Sequence, residues 1–126
     1  MKILSELKYD RDGLVTAVIQ DRTNNEVLMV GFMNAEAVKH TLSTGRVCFW
    51  SRSRQKLWIK GETSGHTQTV ESVAVDCDGD ALLIKVEQKV AACHTGFRSC
   101  FFREVSSDGE STREIGEKIF DADAVY

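Results

Sequence analysis

Cysteines with polar neighbours are the residues of this chain best suited to chemistry. The 126-residue sequence has four cysteines, and three of them have charged or hydroxyl-bearing neighbours. Cys93 and Cys100 are seven positions apart, with His94 beside the first. A turn at the intervening Gly96 could place both thiolates on one metal ion. The alternative is a buried cysteine that acts only as a small hydrophobic side chain. That alternative suits Cys48, which lies in an apolar run, and we assign no function to it.

An acidic segment surrounds the remaining cysteine, in the order Asp76-Cys77-Asp78-Gly79-Asp80. If this segment is extended, alternate side chains share one face, so its three carboxylates converge and require a cation. Oxygen ligands favour Mg²⁺ or Ca²⁺, whereas Cys77 then points to the opposite side, toward a softer metal. The alternative is an ordinary acidic turn between two strands.

A polar segment has the composition of a phosphate-binding loop. It runs from Trp58 to Gln68 and contains Lys60, glycines and hydroxyl side chains, which are groups that bind anions. Just upstream, Trp50-Ser51-Arg52-Ser53-Arg54 adds two arginines and an aromatic ring. The order of a Walker A loop is absent, and a solvated polar hairpin is the alternative.

The elements that position these segments are mostly strands. Residues 14–20 and 26–32 are rich in β-branched side chains and predict a hairpin. Asn34 is suited to cap a helix over 35–44 that ends at Gly45. We therefore predict an α+β, mainly β fold with one clear helix, in a single compact domain over 1–126. Further strands are predicted at 47–50, 56–60, 70–76, 81–87 and 100–105, and a short helix or loose tail at 113–126.

Composition limits the classes of function. Hydrophobic residues make up 42% and charged residues 28%, and the net charge is −3, which does not favour nucleic-acid binding. The sequence has no apolar run of about 18 residues and no apolar signal segment near Met1. We expect a cytoplasmic protein without membrane contact. Cysteines without an export signal indicate metal ligands or free thiols.

Together the three chemistry-bearing segments resemble the phosphoribosyl-AMP cyclohydrolase family of histidine biosynthesis. The resemblance covers roughly residues 14–103 in the family's order. It departs at Val90-Ala91, where the family usually has a proline, and at Phe102, where it often has tyrosine. The matching residues are 50–54, Trp58, 60–66, Gln68, 76–83, 92–96 and 99–101, with a weaker match over 27–29 and 33–34.

The resemblance implies an intertwined homodimer with one zinc ion per subunit, shared across the dimer. Carried onto this sequence, Cys77 of one subunit meets Cys93 and Cys100 of the other. The aspartates of the acidic segment, Asp76, Asp78 and Asp80, take Mg²⁺. Some relatives carry a fused second domain, but residues 104–126 are too few for one, so we expect a C-terminal tail with no second activity.

The reaction that the resemblance implies is hydrolysis of the N1–C6 bond in the adenine ring of 1-(5-phosphoribosyl)-AMP. Zinc-activated water attacks C6, and the product is the formimino-aminoimidazole carboxamide ribotide ProFAR. Three thiolates leave a zinc site negatively charged, so we expect a neighbouring base to assist, and His94 is the candidate. The predicted substrate contacts are Trp50, Arg52, Arg54, Lys60, Thr63, Ser64, Gly65 and Gln68.

Two other zinc proteins remain as alternatives. A nucleobase deaminase also directs zinc-activated water at a purine C6, but its His-x-Glu and Pro-Cys-x-x-Cys signature is absent. A structural zinc module that binds nucleic acid predicts a closed four-ligand site and a basic surface. The acidic net charge and three plausible thiolates favour neither.

Overall fold

The computed structural model describes residues 1–122. Its elements are α1 (Ile3–Glu6), β1 (Val15–Asp21), β2 (Val27–Met33), α2 (Ala35–Thr44), β3 (Cys48–Ser51), β4 (Lys56–Ile59), β5 (Gln68–Val75), β6 (Ala81–Gln88), β7 (Arg103–Val105) and β8 (Thr112–Glu114). Four of the strands form a sheet in the order β2-β1-β6-β5, and β3-β4 and β7-β8 form two separate two-stranded sheets. The mainly β character predicted from the sequence is confirmed.

The sheet combines two antiparallel hairpins through one parallel pair. β1 and β2 pair antiparallel, which confirms the predicted hairpin, and β5 pairs antiparallel with β6. β1 and β6 pair parallel, with Val18 opposite Leu83. Side chains of β1 alternate between buried and half-buried, because one face of the sheet covers the core.

Helix α2 begins and ends as the sequence predicts. The Asn34 side chain accepts a 2.8 Å hydrogen bond from the Ala37 amide, and Gly45 closes the helix with φ of 73°. Ala37, Val38 and Thr41 are its buried residues, and the core continues into Phe49 of β3. Gly31 makes room for this packing, because a Cβ there would lie 2.5 Å from the Phe49 ring.

The structure departs from the sequence predictions mainly at the chain ends. Helix α1 was not predicted, since four residues give too little periodicity to detect. The strand predicted at 100–105 begins only at Arg103, because the Cys100 amide donates to the Leu28 carbonyl at the edge of the main sheet. The segment predicted as helix or tail begins as strand β8, and its residues 123–126 lie outside the described residues. No helix within 1–122 is long and apolar enough to cross a membrane.

Candidate active site

A cleft of about 200 Å³ brings together predicted site residues that are distant in sequence. One wall comes from residues 92–100, which we call the cysteine loop, and another comes from residues 60–67, the polar loop. The base of the cleft includes Met29 of β2 and Trp58 of β4. The predicted residues that line it are Lys60, Thr63, Ser64, His94 and Cys100.

The two thiols of the cysteine loop are neighbours. Cys93 is buried, and its sulfur lies 2.8 Å from the Thr95 hydroxyl oxygen. Cys100 keeps an exposed surface, but desolvation of its thiol and the hydrogen-bonded Cys93 raise the pKa of Cys100 to about 11. Two adjacent thiols, one of which has a raised pKa, are a site where a cation stabilises the thiolate form.

The turn expected at Gly96 is present and brings the thiols together. Gly96 has φ of 102°, and its amide donates to the Cys93 carbonyl at 3.1 Å. The Cys93 amide donates to the Phe97 carbonyl at 3.2 Å, which closes the loop on itself. At the far end, the Cys100 amide donates 2.7 Å to Leu28 and so fixes that cysteine against β2. Cys48 is buried in the core, as expected for a cysteine without a site role.

Lys60 lines the cleft and lies close to the two thiols. Only 7% of the residue is exposed, and its ammonium donates 2.6 Å to the carbonyl oxygen of Ala92. Burial lowers the pKa of Lys60, while Cys100 and Cys93 act in the opposite direction. Its positive charge therefore lies beside the cysteine loop, and the phosphate contact predicted from the sequence stays a prediction.

The polar loop is held in a tight turn beside the cleft. Gly65 donates 2.8 Å to the Gly61 carbonyl, and the Ser64 hydroxyl accepts from the His66 amide at 3.2 Å. Gly61 has φ of 81°, and a Cβ there would overlap the His66 backbone. Burial lowers the pKa of His66, with Lys60 contributing in the same direction. Thr63 and Ser64 face the cleft from this turn, while Gly65 is exposed.

The arginine segment lines a second cleft that shares Trp58 with the first. Arg54, Ser51 and Ser53 form this cleft, with a volume of about 310 Å³. The guanidinium of Arg52 lies over the Phe32 ring, 4.1 Å from its centroid. Trp50 is half-buried on β3.

Gln68 is fully buried behind the first cleft. Its amide nitrogen donates 2.8 Å to the Gln88 carbonyl oxygen and contacts the Met29 sulfur at 3.4 Å. Gln68 therefore does not line the cleft itself, but it contacts Met29, which does. Sequence spacing placed Gln68 in the motif but gave no sign of its burial.

The acidic segment forms a turn and is not extended. The Asp76 amide pairs with the Ala81 carbonyl at 3.0 Å, and Gly79 has φ of 77°. The expectation that alternate carboxylates share one face is therefore wrong, because a tight turn breaks the alternation. Asp76 and Asp80 still meet through a side-chain hydrogen bond.

Their shared hydrogen bond separates the acidities of these two carboxyl groups. Desolvation opposes ionisation of Asp76, but hydrogen bonds from Ala81 and Asp80 outweigh it and lower the pKa of Asp76. The hydrogen bond with Asp76 and its charge raise the pKa of Asp80. Asp78 turns toward the cysteine instead, since the Cys77 thiol donates to its carboxylate at 3.2 Å.

Cys77 lies at the opposite end of the β5-β6 hairpin from the cleft. Gln68 pairs with Gln88 at the cleft end, and Val75 pairs with Leu82 beside the acidic turn. Strand β5, which is eight residues long, spans the two ends, a distance of roughly 20–25 Å. Within residues 1–122 of one chain, no three His, Cys, Asp or Glu side chains are grouped to hold a metal ion.

Five residues that line the cleft are outside the sequence-based site prediction, namely Met29, Trp58, Gly61, Glu62 and Ala92. Met29 lies on a strand of mostly apolar residues, where no pattern distinguishes it, and only the fold brings it to the cleft. Trp58 adjoins the polar segment, so its position next to Lys60 was an available signal. Its ring lies 5.5 Å from the Lys60 ammonium.

Comparisons with known proteins agree with these motifs. The sequence model described as Phosphoribosyl-AMP cyclohydrolase matches residues 29–102. The chain is 55% identical over 124 residues to a phosphoribosyl-AMP cyclohydrolase of Salinibacter ruber, covering 98% of this chain and 96% of the relative. It is 51% identical over 128 residues to a phosphoribosyl-AMP cyclohydrolase of Methanothermobacter thermautotrophicus, covering 100% of this chain and 93% of the relative.

A longer relative matches equally well over its shared part. This is the histidine biosynthesis bifunctional protein HisIE of Thermoanaerobacter pseudethanolicus. It is 53% identical over 124 residues, which are 98% of this chain and 56% of the relative. With a family match over more than half of its length and such relatives, the chain belongs to the phosphoribosyl-AMP cyclohydrolase family.

Proposed function

We propose that this chain is a phosphoribosyl-AMP cyclohydrolase, which opens the adenine ring of phosphoribosyl-AMP at the N1–C6 bond in histidine biosynthesis. The observation that carries the proposal is the cleft in which Cys100, with Cys93 beside it, faces the polar loop. The relatives that match nearly the whole chain carry this activity in their names. A deaminase is not favoured, because its signature residues are absent from the sequence.

The thiol pair fits a zinc site that a third ligand completes. Neighbouring Cys93 and Cys100 provide two soft ligands, and Lys60 provides a nearby positive charge that offsets thiolate charge. When bound, zinc supplies a Lewis acid that makes water nucleophilic near neutral pH. We propose one zinc ion per subunit.

The residues of the cleft can bind and orient the nucleotide. Trp58 provides an aromatic ring against which a purine can stack. The Thr63 and Ser64 hydroxyls are hydrogen-bond donors for one phosphate, and Arg54 in the adjoining cleft is a cation for the other. Because Trp58 lines both clefts, one extended ligand can occupy them together.

His94 is placed to move the proton that the reaction requires. It is exposed and lines the cleft beside Cys100. As the oxygen of water bonds to C6, His94 accepts a proton from it. The C6–N1 bond then breaks, and His94 returns the proton to the leaving N1. The second proton of the water moves from the new hydroxyl group to the exocyclic nitrogen as the C6 carbonyl forms. Exocyclic nitrogen stays on the product, so the ring opens without loss of ammonia.

A homodimer is proposed for the third zinc ligand. Cys77 is exposed and about one hairpin length from the thiol pair of its own chain, so a second chain is needed to bring it there. An apolar row crosses the outer face of the sheet beside the acidic turn, formed by paired Val30, Val18, Leu83 and Ala74. Exposed apolar faces of this kind favour protein contacts.

Magnesium is proposed at the acidic turn of Asp76, Asp78 and Asp80. The hydrogen-bonded carboxyl groups of Asp76 and Asp80 provide oxygen ligands in a solvent-exposed position. Mg²⁺ commonly binds through one or two carboxylates and keeps several waters, so full convergence of three carboxylates is not required. We further propose a single activity for this chain and a cytoplasmic location.

Turnover and metal content test the proposal together. The purified chain should contain about one zinc per subunit and convert phosphoribosyl-AMP with Mg²⁺, with loss of turnover on chelation. Absorbance of the ring-opened product measures the rate. Zinc without turnover would indicate a structural metal module, and turnover that survives complete chelation would remove zinc from the mechanism.

Mixed subunits test the shared site. Cys77→Ser and Cys93→Ser chains should each be inactive, because each dimer then lacks a ligand in both sites. Mixing them by unfolding and refolding should restore about a quarter of wild-type activity, since half of the dimers carry one complete site. If each site were built within one chain, the mixture would stay inactive.

A further inference from the structure

We propose that the ion pair between Asp21 and Arg98 is a positioning device that fixes the separation of the Cys93 and Cys100 thiols. Asp21 ends strand β1, and Arg98 lies inside the cysteine loop. Neither residue lines the cleft described above. Where the inference concerns zinc, it rests on the proposed function.

Asp21 is a rigid anchor on the sheet. Its side chain is 2% exposed, and one carboxylate oxygen accepts hydrogen bonds from the Thr23 amide at 2.8 Å and the Thr23 hydroxyl at 2.6 Å. The other oxygen is bonded to the Arg98 guanidinium. Both oxygens of this carboxylate are therefore engaged, and its orientation is fixed.

Arg98 connects this anchor to both sides of the cysteine loop. Its side chain donates 2.9 Å to the carbonyl oxygen of Val90, which precedes the loop. Its own carbonyl accepts from the Ala92 amide at 2.9 Å, so Arg98 and Ala92 close the base of the turn that carries Cys93. The guanidinium of Arg98 therefore links the entry of the loop to strand β1, and its main-chain carbonyl closes the turn.

The Cys100 side of the loop has separate anchors. Ser99 donates 2.7 Å from its hydroxyl to the Val27 carbonyl, and the Cys100 amide donates 2.7 Å to Leu28. Cys100 is thus fixed to β2, while the base of the Cys93 turn is fixed to β1 through Arg98 and Asp21. Because β1 and β2 are hydrogen-bonded neighbours, the sheet sets the spacing of the two sulfurs.

Loss of the ion pair should therefore lower the affinity for zinc, while the residues that line the cleft keep their positions. Residues that orient metal ligands typically change metal affinity by about 10–100-fold when they are mutated. Asp21→Asn keeps the shape of the side chain and Arg98→Met keeps much of its length, and each should lower zinc affinity by about that factor. Arg98→Lys retains charge but not the forked donors, so it should rescue only part of the loss.

Zinc affinity measured by competition with a chromogenic chelator tests the inference. Arg22→Met is the matched control, because Arg22 forms an exposed pair with Glu71 at 2.7 Å outside the site. The double variant Asp21→Asn/Arg98→Met should lose no more affinity than either single variant, since the two residues act as one unit. Measurements are made where circular dichroism shows every variant folded. Wild-type affinity in both folded single variants would overturn the inference.

A probe that needs only two thiols separates this inference from the proposed metal centre. Phenylarsine oxide forms two arsenic–sulfur bonds with a close thiol pair and releases water. The metal-free wild type should bind it at Cys93 and Cys100, and Arg98→Met should bind it about 10-fold less tightly or more weakly still. Such a drop in a chain that binds no zinc would support the positioning role while rejecting the zinc site. Equal arsenical binding by wild type and variant would reject the positioning role itself.

Discussion

The ammonium nitrogen of Lys60 donates a 2.6 Å hydrogen bond to the carbonyl oxygen of Ala92, the residue before Cys93. This contact buries a positive charge below two thiols at the base of the cleft. We expect a lysine held in this way to act mainly on the cysteine loop, and less on a phosphate of the substrate. The contact predicts a different kinetic result from that of a phosphate ligand.

Lys60→Met should reduce zinc affinity by about 10–100-fold and lower kcat, with a smaller effect on KM. The buried charge is lost and the Ala92 carbonyl loses its donor. Chelator competition and steady-state kinetics measure the two effects. Lys89→Met is the control, because Lys89 is an exposed lysine four positions before Cys93. A variant with raised KM and unchanged zinc content would instead identify Lys60 as a phosphate ligand.

His94→Ala should keep zinc but lower kcat by about 10²–10⁴-fold, as expected when a general base is removed. His94 lines the cleft beside Cys100, so its ring can reach a water held near the thiol pair. Metal analysis of the variant separates loss of the base from loss of zinc. Turnover equal to that of the wild type would exclude His94 from proton transfer.

The ion pair that anchors the cysteine loop also predicts how stability depends on pH. Burial opposes ionisation of Asp21, but hydrogen bonds from Thr23 and Arg98 outweigh it and lower the pKa of Asp21. A carboxyl group with a lowered folded-state pKa stabilises the fold above its unfolded pKa of about 3.9. That contribution disappears as the pH falls through the lower, folded-state value.

Asp21→Asn should therefore lower the free energy of unfolding by about 1–3 kcal/mol near pH 7, less than for a fully buried pair because Arg98 keeps some solvent access. The gap between variant and wild type should close in strong acid, where Asp21 is protonated in both states. Urea unfolding across the pH range measures this. A difference in the free energy of unfolding that stays constant down to strong acid would mean that the charge of Asp21 does not contribute to stability.

The sequence predicts helix α2 and most strands because their signals are local. Asn34 and Gly45 cap the helix by short-range hydrogen bonds, and β1 alternates in burial residue by residue. The parallel pairing of Val18 with Leu83 is not predictable in this way, because the residues are far apart in the chain. The periodicity of a strand does not specify which other strand it pairs with. The same reason explains why Met29 was missed at the cleft.

The turn of the cysteine loop could be predicted from residue type and spacing. Gly96 turns the cysteine loop as its spacing indicated, and Cys93 and Cys100 meet. The prediction for the acidic segment was wrong, because it assumed the alternation of a strand where hydrogen bonds produce a turn. The directions of Lys60 and Gln68 depend on burial by distant strands, and no local pattern encodes that.

Val90 provides a test of backbone strain next to the cysteine loop. It has φ of 65°, a conformation that costs a β-branched residue about 1–2 kcal/mol. Val90→Gly should therefore raise the free energy of unfolding by about 1 kcal/mol after the entropy cost of glycine. Urea denaturation should show a higher midpoint with an unchanged slope. Asn25→Gly is the control, since Asn25 has φ of 63° but asparagine tolerates it, so its gain should be smaller.

Gly96 and Phe120 define the contact between the cysteine loop and the C-terminal segment. The Ile119 amide donates 2.7 Å to the Gly96 carbonyl, and a Cβ at Gly96 would overlap the Phe120 carbonyl oxygen. Gly96→Ala should therefore destabilise the protein by about 2–4 kcal/mol, from its positive φ and from displacement of this segment. Gly109→Ala is the matched control, because Gly109 has φ of 77° but open space around it. Its cost should be only the backbone part, about 1 kcal/mol. Equal urea midpoints for the two variants would show that contact with the C-terminal segment does not add to the cost of a side chain at Gly96.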